Sequence, residues 1–215
     1  MDIDGCKFPD NLLYDVDNDT WAEQEGSLLK VGITSVLGWL SGGFTSFTLK
    51  PVGTPLERGK SFGSVEGPRH FGVVRSPVSG VIVGHNPKVF ADPKVLNREP
   101  FSEGWMVLIR PSGPSGLPTA AQAMQRLIDR VRELKVHCFS NFPDHEMFEI
   151  GTECSAVLVK LNELLEASAR GTVVHVVSDD NTAEIEMARW SDQTGNEVLE
   201  SRKESNLYHF IVRKS

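Results

Sequence analysis

The sequence predicts two domains of different class, an all-β barrel or sandwich followed by a helix and then a two-layer α/β domain. Three observations carry this reading. Up to residue 110, short β-rich runs are punctuated by Gly and Pro at a spacing that suits a barrel or sandwich better than βαβ units. A turn-rich stretch, PSGPSGLP (111–118), then changes the texture and opens a helical pattern. Beyond residue 144, helical and strand periods alternate in the order β-α-β-α-β-β.

In the first domain the runs at 28–34, 44–50, 71–74, 78–83 and 105–109 are read as strands. Thr119 followed by Gln122 forms a capping-box pattern, so a helix should run to Lys135. Ala120, Met124, Leu127, Ile128, Val131 and Leu134 fall at helical spacing and describe its buried stripe. In the second domain, 147–150 is a short strand and 154–168 a helix. Val157, Leu158, Leu161, Leu164 and Leu165 share one face of that helix, while Lys160, Glu163 and Glu166 meet water. Gly171 stops the helix, and TVVHVV (172–177) reads as a strand buried on both faces. Asp179 or Asp180 caps a further helix to Trp190, whose early Glu184 and Glu186 suit its positive end. Turns at 194–196 and 203–206 bracket two last strands. The expected division is an N-terminal tail (1–11), a first domain with its C-terminal helix (12–135) and a second domain (144–215).

Composition narrows the function classes. The chain has 215 residues, with 40% hydrophobic and 24% charged, a globular balance large enough for two small domains. Its 22 basic residues against 29 acidic ones leave a net charge of −7, which argues against nucleic acid or an anionic membrane as partner. No apolar run approaches the ~20 residues needed to cross a bilayer. The start, MDIDGCKFPD, lacks the basic and apolar regions of a signal peptide, so a cytoplasmic protein is expected. Cys6, Cys138 and Cys154 are too few and scattered for a disulfide framework and are read as free thiols.

Four blocks carry a resemblance. VGITSVLGWL (31–40), KPVGTPLERGKSFGSVEG (50–67), SPVSGVIVGHN (76–86) and NREPFSEGWMVLIRPS (97–112) together resemble the glycine-cleavage H protein, in the right order. The resemblance implies a barrel-sandwich hybrid in which a lipoyl lysine sits on a tight hairpin, in an E-S-x-K-A turn just before the S-P-x-S-G block. Here that segment is Glu66-Gly67-Pro68-Arg69-His70, and no lysine lies between Lys60 and Lys88. A guanidinium stays protonated and cannot form the lipoyl amide, so Arg69 is not modifiable and no lipoate is expected. Two readings of the hairpin remain: a retained scaffold, or a tip where Arg69 and His70, a candidate binding residue, meet a carboxylate, a phosphate or an acidic patch.

The tail from residue 144 resembles the TusA/SirA sulfur-carrier family, in which a Cys-Pro-x-Pro motif opens a helix and a Gly-led strand ends in an acidic pair. Cys154, Gly171, Ser178-Asp179-Asp180 and the terminal YHFIVRKS stand in that order. A thiol in a first helical turn faces unpaired N–H groups and the positive dipole end, which favour the thiolate that attacks a persulfide. Both motif prolines are absent, since the sequence continues Ser155-Ala156-Val157. Glu153 should oppose ionisation and Ser155 partly offset it, making both modulators. The alternative is that Cys154 is a small residue at a helix start.

Other residues have plainer readings. Cys6 and Cys138 are ordinary thiols, and His137, Cys138, His145 and Cys154 lack the paired spacing of a metal site, so no metal is assigned. His175 is a core histidine, the four tryptophans are core, and Asp179-Asp180 is a cap. The function expected is a sulfur relay through a transient persulfide on Cys154, a carrier or sulfurtransferase rather than a lipoyl carrier. Its partners would be sulfur-donor and sulfur-acceptor proteins, together with enzymes that dock lipoyl-type domains. The alternative is a non-catalytic adaptor built from both domains.

Overall fold

The computed structural model describes residues 1–215. It divides into two compact units, Met1–Cys138 and Phe139–Ser215.

The first unit opens with a small hairpin, β1 (Asp2–Ile3) and β2 (Cys6–Lys7). The strands β3 (Leu13–Asp15), β4 (Thr20–Glu25) and β5 (Leu28–Ile33) follow as an antiparallel meander, and a short helix α1 (Ser35–Ser41) turns the chain. Next come β6 (Ser46–Leu49), β7 (Pro55–Leu56), β8 (Ser61–Glu66), β9 (Phe71–Arg75) and β10 (Gly80–His85). Two short helices, α2 (Pro87–Ala91) and α3 (Val95–Arg98), lead into β11 (Trp105–Pro111), and α4 (Met124–Leu134) closes the unit. The strands form a six-stranded sheet in the order β3-β4-β5-β11-β10-β7 and a three-stranded sheet in the order β6-β8-β9.

The core lies between these sheets. Phe62, Val65 and Val74 of the small sheet pack in one cluster with Val31, Ile33, Ile82 and Ile109 of the large one. Alternation along each strand sends these residues inward and leaves the polar partners outside, which is why short strands suffice. Truncating Phe62, fully buried at the centre, would cost about 3–5 kcal/mol.

Five expectations change here. The first eleven residues are not a tail outside the domain, because Ile3, Cys6 and Phe8 are buried. Cys6 and Cys138 are not free thiols. They form a disulfide across a sequence separation of 132 with Cα atoms 4.8 Å apart, and the Cys138 N–H donates to the Asp4 carbonyl at 3.1 Å. The capping-box bonds of Thr119 and Gln122 form in both directions, at 2.9 and 3.4 Å, but regular helix starts only at Met124. Met124 itself is exposed, so the helix's buried stripe rests on Leu127 and Val131, with Ala120 buried in the turn before it. Trp21, Trp39 and Trp190 are core, whereas Trp105 is half-buried with the Lys30 ammonium 6.0 Å from its ring centre.

In the second unit, β12 (His145–Glu149), α5 (Cys154–Glu166), β13 (Val173–Ser178), α6 (Ala183–Thr194), β14 (Glu197–Glu204) and β15 (Leu207–Arg213) follow the expected order. The sheet runs β12-β13-β15-β14, with β12 parallel to β13 and the other neighbours antiparallel. Every residue of β13 is buried, as a strand covered on both faces requires. One face packs Val174, Val176, Phe210 and Val212 against Val157, Leu161 and Leu165 of α5 and Met187 and Trp190 of α6. On the other face Phe139 lies 4.7 Å from the His175 ring and 5.5 Å from the His209 ring, with the Arg202 guanidinium 4.6 Å from its own centroid.

Candidate functional site

Two places carry the chemistry that the sequence raised, one in each unit. The first is the hairpin between β8 and β9. Its tip is not free. The Arg69 backbone N–H donates to the Ser41 carbonyl at 3.1 Å, and its Nη2 donates to the Trp39 carbonyl at 3.1 Å. Both acceptors belong to the last turn of α1, where orphan carbonyls and the negative dipole end suit a cation. Gly67 makes the approach possible: a Cβ there would lie 2.3 Å from the Gly43 carbonyl oxygen and 2.7 Å from that of Ser41. The serine of the lipoyl-hairpin pattern therefore cannot occupy this position without moving the tip. His70 is half-buried over β9, with its Nε2 2.8 Å from where a Cβ on Gly72 would stand. Gly67 and Arg69 thus belong together, one admitting the tip to the helix end and the other capping that end.

The second place is the start of α5. Cys154 is the first residue of this helix and only 3% exposed. The acidic pair at the end of β13 holds the loop that leads into it. The Gly151 N–H donates to Asp179 Oδ1 at 2.8 Å, and the Cys154 N–H donates to Asp180 Oδ2 at 2.7 Å. Asp180 Oδ1 accepts from the backbone N–H and the hydroxyl of Thr182, both at 2.8 Å. Asp180 is therefore more than a cap for its own helix, because one carboxylate ties the starts of α5 and α6 together.

This arrangement reverses the expected electrostatics. The hydrogen bonds from Thr182 and Cys154 hold the Asp180 carboxyl below its ordinary range, so it stays anionic. Burial, then the charges of Asp180 and Glu186, push the Cys154 thiol up to about 11. The opposing carboxylates are those of Asp180 and Glu186 rather than Glu153, which is exposed and makes no side-chain cap bond. Ser155 is exposed as well. At neutral pH the resting group is therefore a shielded thiol rather than a thiolate.

The remaining candidates resolve simply. Cys138 has its sulfur committed to Cys6. His175 is buried, but it is not fully satisfied. Its Nε2 meets His209 Nδ1 at 3.0 Å, while its Nδ1 makes no hydrogen bond and stands 3.8 Å from Glu146 Oε1. No helix is long and apolar enough to cross a membrane.

Comparison with known proteins agrees with this division. A family model described as glycine cleavage H-protein matches residues 12–129, and one described as sulfurtransferase TusA matches residues 150–214. A probable glycine cleavage system H protein 2 of Sulfurisphaera tokodaii is 33% identical over 142 residues, covering 63% of this chain and 96% of that protein. Glycine cleavage system H protein 5 of Aquifex aeolicus is 31% identical over 145 residues, covering 64% and 98%. The crystal structure of a glycine cleavage system H protein from Mycobacterium marinum superposes with a TM-score of 0.50 at 30% identity, covering 55% of this chain and 98% of that one. The chain belongs to the glycine-cleavage H-protein family and carries, fused behind that domain, a TusA-like domain with Cys154 at the head of its first helix.

Proposed function

We propose that this protein is a sulfur relay in which Cys154 accepts a sulfane sulfur and passes it on, while the H-type domain serves as a non-lipoylated adaptor. The observation that carries the reading is the position of Cys154, the first residue of α5 in the TusA-like unit. In the forward step the Cys154 thiolate attacks the terminal sulfur of a donor persulfide. The donor's S–S bond breaks, the donor leaves as a thiolate, and Cys154 holds the persulfide. No external oxidant or reductant is consumed. The return step repeats this exchange on an acceptor thiol. The proton of the resting thiol leaves when docking of a partner uncovers Cys154 and a cation compensates Asp180 and Glu186. Partners are then sulfur-donor and sulfur-acceptor proteins, with enzymes that dock lipoyl-type domains reading the first unit. No resident cofactor takes part, and the setting is cytoplasmic, where the buried Cys6–Cys138 bond is shielded from small thiols.

Incubation of the full chain with a cysteine desulfurase and cysteine tests the reading by intact mass. A gain of one sulfur atom that disappears in Cys154→Ser supports it, and an unchanged mass overturns it. The burial and raised pKa of Cys154 favour a second reading, an adaptor whose two domains keep only their binding surfaces. The same experiment separates them, because an adaptor without chemistry takes up no sulfur.

A further inference from the structure

β9 lies at the edge of the three-stranded sheet, and its outer side pairs with no other strand. The Gly67 N–H donates to the His70 carbonyl at 2.9 Å, which sets the phase of the β8–β9 ladder. Antiparallel pairs alternate between bonded and non-bonded, so Val65–Gly72 is a bonded pair, whereas Glu66–Phe71 and Ser64–Val73 are not. Phe71 and Val73 therefore turn their N–H and C=O groups to the open edge. The same residues expose their side chains, Phe71 at 65% and Val73 at 48%, while Val74 between Val73 and Arg75 is buried in the core. Arg75 continues the exposed row.

We propose that two copies of this chain pair antiparallel through β9, with Val73 opposite Val73 of the second copy and Phe71 opposite its Arg75. The row Phe71, Val73, Arg75 is complementary to itself about Val73. A two-fold axis there uses each residue twice, as an isologous contact requires. It brings the second copy's guanidinium beside the Phe71 ring, a favourable cation–π placement. Glu66 is the β8 partner of Phe71, so its side chain lies on the same face and supplies a carboxylate one strand further on. This charge pattern favours a second copy over an unrelated strand, since each copy brings both the cation and the ring with its carboxylate. The strand also lacks the usual edge protection, having neither a proline nor an inward charge. Pairing would join the two small sheets into one six-stranded sheet and bury the two exposed apolar side chains of each copy.

Sedimentation of the full chain over a concentration series tests this. The expected mass rises with concentration from 23.7 kDa toward twice that value. Val73→Lys, at an exposed position, places two ammonium groups face to face and should weaken the dimer by at least about tenfold. Arg75→Glu should weaken it as well, and adding Glu66→Arg to that variant should restore it. A chain that stays monomeric at every concentration overturns the proposal, as does a dimer indifferent to both Val73→Lys and Arg75→Glu. Circular dichroism on each variant separates lost pairing from lost fold.

Discussion

The hairpin tip at Arg69 and the helix start at Cys154 differ in how the surrounding fold holds the side chain placed there. At the tip, the Arg69 guanidinium is tied into the fold through the Trp39 carbonyl. At the helix start, the Cys154 thiol is covered, and the Asp180 carboxylate accepts from the Cys154 backbone N–H. One side chain is therefore fixed by a hydrogen bond to a neighbouring helix, the other by burial beside a carboxylate.

The largest effect should separate the two sites outright. Cys154→Ser should abolish sulfur uptake from a desulfurase, while Arg69→Ala should leave uptake unchanged, both measured by intact mass. If Arg69→Ala also abolishes uptake, the tip takes part in the relay and the contrast fails.

The restraint on Cys154 should be removable. Asp180→Asn takes away the nearest opposing charge, so the thiol pKa should fall from about 11. Each unit of that fall raises the thiolate fraction at neutral pH about tenfold. Iodoacetamide labelling of Cys154 should accelerate accordingly, whereas Glu153→Gln should change it little. The raised thiol also has a sign for stability. Its contribution is full below the ordinary thiol value and is lost as pH rises toward about 11, so the second unit should weaken on the alkaline side. A Cys154→Ala variant should lack that part of the loss in a denaturation series.

At the tip the effects are structural and smaller. Gly67→Ala drives a Cβ into two carbonyl oxygens and should cost about 1–3 kcal/mol in thermal or denaturant unfolding, with no change in Cys154 labelling. Smallest of all should be the gain from Arg69→Lys. With the tip held against α1, lipoate ligase and ATP should add little or no mass, and efficient lipoylation would show that the tip is freer than its contacts imply.

Local signals were legible from the sequence. The double burial of TVVHVV, the reciprocal capping bonds of Thr119 and Gln122 and the helix beginning at Cys154 each depend on neighbours within a few residues. What stayed hidden depends on distant partners. The Cys6–Cys138 bond joins residues 132 positions apart, and only the return of the chain after α4 to the first hairpin brings them together. The Asp180 carboxylate reaches the Cys154 N–H across 26 positions because β13 runs parallel to β12 and both helices start at the same end. From the sequence, Asp180 could be read only as a cap for its own helix and Glu153 only as a neighbour of the thiol. The docking of Arg69 was equally hidden, since its partner lies 30 positions earlier in a helix too short to be read from periodicity.

The Cys6–Cys138 bond has a mechanical consequence. It closes the first unit into a covalent ring that begins at the sixth residue and ends at the residue before the second unit. A pull applied between the two ends of the chain passes from Cys138 straight to Cys6, so the sheets between them carry no tension. In a stretching experiment under oxidising conditions only the second unit should lengthen. In a Cys6→Ala variant a second and longer extension should appear, because the bond routes the load around the barrel.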